Sequence, residues 1–212
     1  MRLKNIKGAG EKVLQGKYII NSPKDYIGKW NKLFNNDNPI RIEIGMGKGT
    51  FIYNHALKNP NINYIGIEKF DSVLVRAVQK LEDTDIPNLK LIRMDALDID
   101  KIFSKEIDTI YLNFSDPWPK NRHELRRLTS PVFLAKYDSV FKNDKVIIQK
   151  TDNRHLFEYS LVSLVNYGYK LEKISLDLYK EEELLKDNIP TEYETRFASN
   201  GDTIYMAEFR LQ

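Results

Sequence analysis

The sequence predicts an α/β fold with a mostly parallel sheet that is covered by helices on both faces. Three observations support this prediction. Short apolar segments alternate with helix-like stretches between residues 40 and 167, as in a parallel sheet with crossover helices. The first apolar segment ends in a glycine-rich turn, a feature of doubly wound folds. The last two apolar segments have only a polar loop between them, which predicts an antiparallel element at the C-terminal end of the sheet.

Seven strands and five helices are predicted along the chain. The strands are rich in Ile, Leu, Val and Tyr, which favour a buried, pleated backbone, and they cover 40–45, 62–68, 89–95, 107–114, 145–150, 170–180 and 203–211. The helices cover 50–58, 72–83, 98–104, 124–141 and 154–167, and Gly168 ends the last one. The length of 212 residues fits one domain. We expect a basic N-terminal tail and lead-in over 1–38, followed by the α/β domain over 39–212.

The composition excludes several classes of site. The chain has no cysteine, so disulfides, thiolate zinc sites and cysteine nucleophiles are excluded. His55 and His123 have no second ligand at metal-binding spacing, so no metal site is predicted. No apolar run approaches the roughly 20 residues that span a bilayer. The N-terminus also lacks the apolar core of a secretory signal. We therefore expect a soluble, cytoplasmic protein with no membrane partner.

Positive charge is concentrated in two segments of a chain whose formal net charge is only +3. Residues 1–17 hold five basic side chains against one acid, and residues 117–130 hold four against one, which leaves the rest of the chain slightly acidic. The basic side chains are Arg2, Lys4, Lys7, Lys12 and Lys17 in the first segment and Lys120, Arg122, Arg126 and Arg127 in the second. This distribution favours a polyanionic partner. The alternative is a solubilising tail together with a solvated helix face.

A glycine-rich turn and acidic side chains mark the predicted ligand-binding edge of the sheet. Gly45 and Gly47 let the backbone turn tightly and approach a ligand at the end of the first strand. Glu43 precedes this turn, and Glu68 and Asp95 end the next two strands. Three carboxylates there would repel a pyrophosphate but suit a cation with free ribose hydroxyls, such as S-adenosylmethionine. The alternatives are a plain turn with helix-capping acids, or a nicotinamide-dependent oxidoreductase, whose glycine spacing differs.

The stretch after the fourth predicted strand is the most distinctive of the chain. Pro117 and Pro119 flank Trp118 and fix an extended loop, which would hold Asp116 at the edge of the sheet. Trp118 is suited either to stack on a base or to anchor the loop in the interior. The residues that follow, 120–127, are basic, and their arginines would hold phosphates by forked hydrogen bonds.

Five motifs extend over most of the chain: EIGMGKG (43–49), IGIEKF (65–70), DPWPK with the RH and RRL that follow it (116–128), KTDN (150–153) and TEYE (191–194). In these motifs and in their order, the sequence resembles the bacterial tRNA (guanine-N7-)-methyltransferases. The resemblance implies a Rossmann-like, doubly wound, seven-stranded mixed sheet with an antiparallel C-terminal strand. It also implies methyl transfer from S-adenosylmethionine to N7 of a guanine in tRNA, at position 46 of the variable loop. The products would be 7-methylguanosine and S-adenosylhomocysteine, and the enzyme would be a monomer or a homodimer.

The resemblance also implies roles for individual residues. Asp116 matches the catalytic position. The cofactor is expected to contact Glu43, Gly45, Gly47, Glu68, Asp95 and Asp116. The substrate is expected to contact Lys120, Arg122, His123, Arg126, Arg127, Asp152, Thr191, Glu192, Tyr193 and Glu194. Without the resemblance, Asp152 and Asn153 would be interpreted as caps of the following helix.

Two other functions are compatible with the same motifs. One is an S-adenosylmethionine-dependent methyltransferase that acts on another RNA or on an amino group, because amino-group methyltransferases often carry a similar proline-rich loop at this strand end. The other is a non-catalytic RNA-binding protein on the same scaffold. Such a protein would be expected to have lost the cofactor acids and Asp116, which this chain retains.

Overall fold

A seven-stranded sheet lies at the centre of the computed structural model, which describes residues 6–212. The strands are β1 (Ile40–Ile44), β2 (Asn63–Glu68), β3 (Leu89–Arg93), β4 (Ile107–Asn113), β5 (Phe141–Thr151), β6 (Lys170–Ser175) and β7 (Tyr205–Leu211). Their order in the sheet is β3-β2-β1-β4-β5-β7-β6. β7 runs antiparallel to both β5 and β6, whereas β1 to β5 pair in parallel. The structure therefore confirms the predicted mixed sheet with its antiparallel C-terminal strand.

Helices connect most of the strands. The α-helices are α1 (Ala9–Leu14), α2 (Trp30–Phe34), α3 (Thr50–Lys58), α4 (Asp71–Leu81), α5 (Pro131–Val140), α6 (Arg154–Tyr167), α7 (Glu182–Lys186) and α8 (Glu192–Ser199). Short 3₁₀ helices cover Pro23–Tyr26, Ala96–Lys101, Asn121–Arg126 and Leu178–Lys180. Over residues 6–212, no helix has both the length and the apolar character needed to cross a bilayer.

Each face of the sheet buries its own set of apolar side chains, because side chains alternate between the faces along a strand. On one face, Ile42 and Ile44 of β1 belong to a cluster that includes Trp30 and residues of α5. On the other face, Phe51 of α3 and Tyr64 of β2 belong to a second cluster with residues of α4. β2 is buried along its whole length, as expected for a central strand that is covered on both sides.

The described part of the segment before β1 is attached to the sheet. The side chain of Trp30 is fully buried, and its Nε1–H donates to the carbonyl of Ile102 at 2.9 Å. The carboxylate of Glu106 accepts hydrogen bonds from the backbone N–H groups of Gly28 and Trp30, each at 2.9 Å. Ile19 adds an isolated parallel bridge to β3. These contacts make residues 19–34 part of the same core as the sheet.

The predicted basic tail is only partly described. Arg2 and Lys4 lie outside the described residues, whereas Lys7, Lys12 and Lys17 are exposed. Lys12 belongs to α1, which packs against α4. Positive charge from this segment is therefore presented to solvent on the α4 side of the sheet.

The single helix predicted over 124–141 is wrong, because the chain forms two separate helices there. A 3₁₀ helix covers Asn121–Arg126, and α5 begins only at Pro131. Ser130 has an extended backbone (φ −73°, ψ 156°), which is the conformation that a following proline favours. Pro131 then occupies the first turn of α5, where its missing N–H costs nothing. The interruption carries Arg127 into the interior.

The polar loop predicted between the last two strands is also wrong, because it contains α7 and α8. A capping box starts α8: the Thr191 side chain accepts from the Glu194 N–H, and the Glu194 carboxylate accepts from the Thr191 N–H. The T-x-x-E spacing of residues 191–194 is the signature of this motif and would have predicted the helix. The strand predicted over 170–180 ends earlier, at Ser175, because a 3₁₀ helix follows at Leu178–Lys180.

Trp30→Ala should lower the free energy of unfolding by about 3–5 kcal/mol, because it removes a fully buried side chain and leaves the Ile102 carbonyl without its donor. Equilibrium denaturation measures the change. Val162→Ala, on the exposed face of α6, is the matched control and should change stability by less than about 0.5 kcal/mol. Equal losses in the two variants would contradict a shared core between the N-terminal segment and the sheet.

Candidate active site

Two adjoining cavities open at the edge of the sheet where β1 to β5 end. The large cavity, of about 940 Å³, extends from the ends of β1 and β2 to the loop after β4. The small cavity, of about 470 Å³, lies between the turn after β1 and the start of α8. Gly45, Gly47, Phe114 and Tyr193 line both cavities, so the two form one continuous site. Their volumes are in the range of sites for small-molecule ligands.

The glycine-rich turn brings bare backbone to both cavities. Gly45 and Gly47 have left-handed φ angles of 76° and 60°, which other residues adopt only with strain. A Cβ atom added at either position would have no atom of the described chain within 4 Å, so a side chain there would fill open space. The turn thereby leaves room for a ligand to approach the backbone.

Glu68, at the end of β2, is held by backbone amides. Its Oε1 accepts from the N–H groups of Lys69 and Phe70 at 2.8 and 2.9 Å, and its Oε2 accepts from the Gly47 N–H at 3.1 Å. Burial raises the pKa of Glu68, and the three amide hydrogen bonds oppose this shift. The carboxylate lines the large cavity in a fixed orientation, so its remaining lone pairs are directed by the fold.

Asp95, which follows β3, lines the same cavity and has a cation as its partner. Lys69 Nζ donates to its Oδ2 at 2.6 Å, and the Leu97 N–H donates to its Oδ1 at 3.0 Å. Burial opposes the ionisation of Asp95, but the two hydrogen bonds outweigh it and lower the pKa of the carboxyl. Lys69 also lines the cavity. Sequence analysis did not identify it, because no local spacing pairs it with a residue 26 positions away.

Glu43 on β1 is almost completely buried and lines the small cavity. Its Oε1 accepts from Asn113 Nδ2 at 3.0 Å, while its Oε2 has no hydrogen-bond partner within residues 6–212. Burial raises the pKa of Glu43 to about 8, against the opposing effects of Asn113 and of the Lys150 charge. A buried carboxyl oxygen without a partner is an acceptor placed for a ligand's donor group.

The loop after β4 brings Asp116 to the large cavity. Phe114 and Trp118 in this loop have left-handed φ angles of 51° and 42°, a conformation that is costly for bulky side chains. Phe114 and Trp118 both line the large cavity as well. The Asp116 side chain is exposed, so a substrate can reach it. The strained loop thus presents a carboxylate beside Glu68, whose pKa it helps to raise.

The basic segment after this loop lies mostly at the surface. Lys120, Arg122 and Arg126 are exposed, and His123 is half-buried. Arg126 lines the large cavity, and its guanidinium carbon lies 4.9 Å from the centre of the Trp118 ring. The His123 ring meets the same tryptophan edge-on, at a centroid distance of 5.6 Å. Trp118 therefore packs against two of the predicted substrate residues instead of being sealed in the interior.

Arg127 differs from its neighbours because it is buried, with 3% of its surface exposed. Its Nε donates to the Pro117 carbonyl at 3.2 Å, and its Nη2 donates to the Trp118 carbonyl at 3.1 Å. Its guanidinium carbon also lies 4.2 Å from the centre of the Tyr159 ring. The structure thus gives this predicted substrate residue intramolecular partners, which hold the loop that carries Asp116.

Asp152 follows β5 and lines the large cavity together with Asp116. The neighbouring Asn153 is the cap of α6, because its Oδ1 accepts from the Leu156 N–H at 2.8 Å. The capping interpretation therefore applies to Asn153, and the side chain of Asp152 contributes to the cavity wall.

Lys150 on β5 attaches α8 and the segment before it to the sheet. Its Nζ donates to Glu194 Oε2 at 2.5 Å, and to Asn188 Oδ1 and the Ile189 carbonyl at 2.9 Å each. Both charged side chains of the pair are buried. Burial lowers the pKa of Lys150, while the carboxylates of Glu194 and Glu43 oppose that shift. The structure therefore pairs Glu194, a predicted substrate residue, with a buried lysine of the same chain.

The start of α8 forms one wall of the small cavity. Thr191, Glu192 and Tyr193 all line it. The Tyr193 ring stacks on Phe197 at a centroid distance of 4.3 Å and lies 5.4 Å from the Phe114 ring. Tyr193 and Phe114 thus form an aromatic boundary between the two cavities.

Glu192 takes part in an ion cluster at the surface. Its carboxylate accepts from Lys48 Nζ and Thr50 Oγ1 at 2.7 Å each, and from Lys80 Nζ at 2.9 Å. Burial opposes the ionisation of Glu192, but these hydrogen bonds outweigh it and lower its pKa to about 2. Sequence analysis did not identify Lys48 and Lys80, since they lie 144 and 112 residues away from Glu192.

The assembled site is acidic inside and basic at its rim. The predicted acids Glu43, Glu68, Asp95, Asp116 and Asp152 line the cavities, and exposed lysines and arginines surround them. In the part of the chain that the structure describes, no group of three or more His, Cys, Asp or Glu side chains is arranged to hold a metal ion. The arrangement suits a cationic small molecule in the cavities and a polyanion across the rim.

Comparisons with known proteins agree on the class of the chain. A family model described as a putative methyltransferase matches residues 37–207. The chain is 52% identical to the tRNA (guanine-N(7)-)-methyltransferase of Lachnoclostridium phytofermentans, over 97% of this chain and 96% of that protein. It is 50% identical to the tRNA (guanine-N(7)-)-methyltransferase of Bacillus cytotoxicus, over 100% of this chain and 98% of that protein. The solved structure of an antibiotic-related methyltransferase shares the fold, with a TM-score of 0.68 at 18% identity over 89% of this chain and 94% of that chain.

Glu43 should make the free energy of unfolding decrease as the pH rises from about 4.5 to about 8. Its pKa is raised from 4.5 to about 8 in the folded chain, so the unfolded chain ionises first and is stabilised across this window. The slope should approach about 1.4 kcal/mol per pH unit.

Denaturation at a series of pH values measures the effect as the difference between the wild-type chain and Glu43→Gln, which lacks the titrating group. Glu172→Gln, at an exposed position of β6, is the matched control and should show no such difference. A difference between wild type and Glu43→Gln that does not depend on pH would contradict a buried, protonated Glu43.

Proposed function

Since the chain belongs to the family of tRNA (guanine-N(7)-)-methyltransferases, we propose that it transfers a methyl group from S-adenosylmethionine to N7 of a guanine in tRNA. The proposed target is position 46 of the variable loop, and the proposed products are 7-methylguanosine and S-adenosylhomocysteine. We also propose that the reaction takes place in the cytoplasm and that the active unit is a monomer or a homodimer.

One observation carries this proposal: carboxylates surround a bare glycine turn at the edge of the sheet. Glu43, Glu68 and Asp95 come from three adjacent strands and all line the cavities. Negative charge at this edge would repel the pyrophosphate of a dinucleotide and attract a cationic ligand. S-adenosylmethionine carries a sulfonium and an ammonium group as well as free ribose hydroxyls, and it supplies an activated methyl group when bound.

The residues present fit this cofactor. Glu43 would hold the ammonium group, because this residue lines the small cavity and its buried Oε2 lacks a partner among the described residues. Glu68 would accept hydrogen bonds from the ribose hydroxyls, since backbone amides already fix its carboxylate. Asp95 would meet the adenine edge, and Gly45 and Gly47 leave space along the backbone.

The chemistry of the nucleophile limits what the chain has to supply. N7 of a neutral guanine carries a lone pair and no proton, so no residue has to remove a proton before the methyl group moves. The chain must instead align the base and stabilise the positive charge that develops on the purine. Asp116 is proposed for this electrostatic role, because its exposed carboxylate lines the large cavity on a loop that Arg127 holds in place.

Asp116 and Asp152 are both proposed to recognise the base, since they line the same cavity. A carboxylate accepts hydrogen bonds from N1–H and N2–H of guanine, and adenine offers neither donor. This pairing would exclude adenine from the site. Glu194 is proposed to act indirectly, through the buried ion pair with Lys150 that positions α8.

The exposed basic residues after the Asp116 loop are proposed to hold the RNA backbone. Lys120, Arg122 and Arg126 are open to solvent, and Arg126 lines the large cavity. A guanidinium can bind a phosphate through two parallel hydrogen bonds. Arg127 is proposed to be a positioning residue, because its guanidinium is engaged with loop carbonyls.

Asp116→Asn should lower kcat by about 10²–10³-fold, because it removes the negative charge that is proposed to stabilise the purine during transfer. Affinity for S-adenosylhomocysteine should stay within about threefold of the wild type. Transfer from labelled S-adenosylmethionine to unmodified tRNA, followed by nucleoside analysis, measures turnover and identifies the product. Calorimetry measures the binding of S-adenosylhomocysteine.

Glu158→Gln, in an exposed ion pair on α6, is the control and should be fully active. Formation of 7-methylguanosine by the wild-type chain supports the proposed function, whereas a different methylated nucleoside or a methylated amino group would assign another substrate. Loss of S-adenosylhomocysteine binding in Asp116→Asn, with normal chemistry in a single turnover, would contradict the role given to Asp116.

Arg126→Gln and Arg127→Gln should affect RNA binding differently. Arg126→Gln should reduce the log–log slope of tRNA affinity against salt by about 0.7–0.9, as expected when one phosphate contact is lost. Arg127→Gln should leave the slope unchanged and lower turnover, because the buried guanidinium holds the Asp116 loop. Fluorescence anisotropy over a salt series tests both variants. The assignment fails if the slope changes for Arg127→Gln and not for Arg126→Gln.

A further inference from the structure

A cluster of donors from three elements converges on one carboxylate beside the small cavity. Lys48 belongs to the glycine-rich turn, Thr50 is the first residue of α3, and Lys80 lies near the end of α4. All three donate to the carboxylate of Glu192 at 2.7–2.9 Å. We call these three residues the anion cluster, because together they bind an anionic group. It gathers side chains that are far apart in the sequence around a single negatively charged group.

The anion cluster carries more positive charge than Glu192 neutralises. Within residues 6–212, Lys48 and Lys80 both form salt bridges with Glu192, and neither lysine forms one with another carboxylate. Arg196, one turn further along α8, is exposed and lines the same cavity. Its guanidinium lies about 5 Å from the Tyr193 and Phe197 rings and, in the described chain, forms no salt bridge. Two lysines thus pair with one carboxylate, and a third cation, Arg196, lines the same cavity as that carboxylate.

Glu192 is not what holds α8 in place. The buried pair of Lys150 and Glu194 attaches the helix to β5, and the loss of one partner of such a pair is costly. The two pairs of Glu192 are exposed, with 56% of the Lys48 side chain and 41% of the Glu192 side chain accessible. Although these bonds lower the pKa of Glu192, water and salt screen exposed pairs, so they contribute little to the stability of the fold. Glu192 can therefore leave the cluster while α8 stays attached.

We propose that the anion cluster is a binding site for a phosphate of the RNA strand, and that Glu192 occupies this site in the free protein. The inference rests on the proposed function, since it assigns a further part of the tRNA footprint. A base that enters the cavities brings its flanking phosphates to the rim, which Lys48 and Arg196 line. Lys80 lies next to this rim, because its Nζ is 2.9 Å from the Glu192 carboxylate. A phosphate offers the same oxygen acceptors as Glu192 and comes with the favourable release of counterions.

This site is separate from the basic segment 120–127. That segment follows β4 and borders the large cavity, whereas the anion cluster borders the small cavity on the other side of the aromatic boundary formed by Phe114 and Tyr193. The two basic regions would therefore hold the RNA backbone on both sides of the target base. Fixing the strand at two points orients the base between them.

The test is the affinity for unmodified tRNA over a salt series, measured with the full chain saturated with S-adenosylhomocysteine. Lys48→Gln/Lys80→Gln should weaken binding and reduce the log–log slope by about 0.7–0.9, since one phosphate contact is lost. Lys80→Gln alone should cause a smaller loss of affinity and of slope, and it leaves the glycine-rich turn unchanged. Glu192→Gln should bind tRNA about two- to fivefold more tightly at low salt, because the internal competitor is weakened. Lys173→Gln, at an exposed position of the far edge strand β6, is the matched control.

The outcomes separate this inference from the proposed function. If the wild-type chain neither binds nor methylates tRNA, the proposed function fails. If it does both, and the lysine variants keep the wild-type slope, only the phosphate site fails. Weaker tRNA binding by Glu192→Gln would overturn the proposal too, because Glu192 would then assist RNA binding. Weaker S-adenosylhomocysteine binding by the lysine variants, with an unchanged tRNA slope, would assign the cluster to the cofactor carboxylate instead.

Discussion

Five parallel strands that end at a common edge determine where the polar groups of the site lie. Glu43, Glu68, Asp95, Asp116 and Asp152 belong to or follow β1 to β5, and the parallel register brings them to the same end of the sheet. A shift of one residue in any strand would turn its side chains to the opposite face. The apolar clusters on the two faces oppose such a shift, because it would move Ile and Leu side chains out of the cluster in which they pack. Core packing and site geometry therefore depend on the same register.

The same edge concentrates negative charge, and the chain holds each carboxylate in a different way. Backbone amides hold Glu68, Lys69 pairs with Asp95, and the side chain of Asn113 donates to Glu43. The differences appear in the pKa values, since that of Asp95 is lowered and that of Glu43 is raised to about 8. A protonated Glu43 reduces repulsion among the acids of the free protein. A ligand cation that reaches Oε2 favours the ionised form of Glu43. This edge of the sheet is therefore most negative when a cation is bound there.

Many features set by local sequence were predicted, whereas contacts made by tertiary packing were not. The strands, the glycine-rich turn and the strand-end acids follow from local hydrophobic pattern and composition, and the T-x-x-E box before α8 is a local signal of the same kind. The partners of Glu192 lie more than a hundred residues away, so no spacing reveals them. Arg126 and Arg127 are equally charged in the sequence. The interruption of the helix before Pro131 buries Arg127 and leaves Arg126 exposed. The helical periodicity of 124–141 gives no sign of this interruption.

α8 is attached to the rest of the chain by one buried and two exposed ion pairs, so its wall of the site can move more easily than the opposite wall. A helix of eight residues is too short to be stable alone, so its position depends on its contacts with the sheet. Glu194 is held in the interior by Lys150, whereas Glu192 is held at the surface by exchangeable pairs. Tyr193 lies between them and lines both cavities. Release of Glu192 would therefore alter the wall of the small cavity without detaching the helix. The opposite wall differs, because the buried guanidinium of Arg127 fixes the loop of Asp116. The proposed catalytic carboxylate therefore keeps its position when the wall formed by α8 changes.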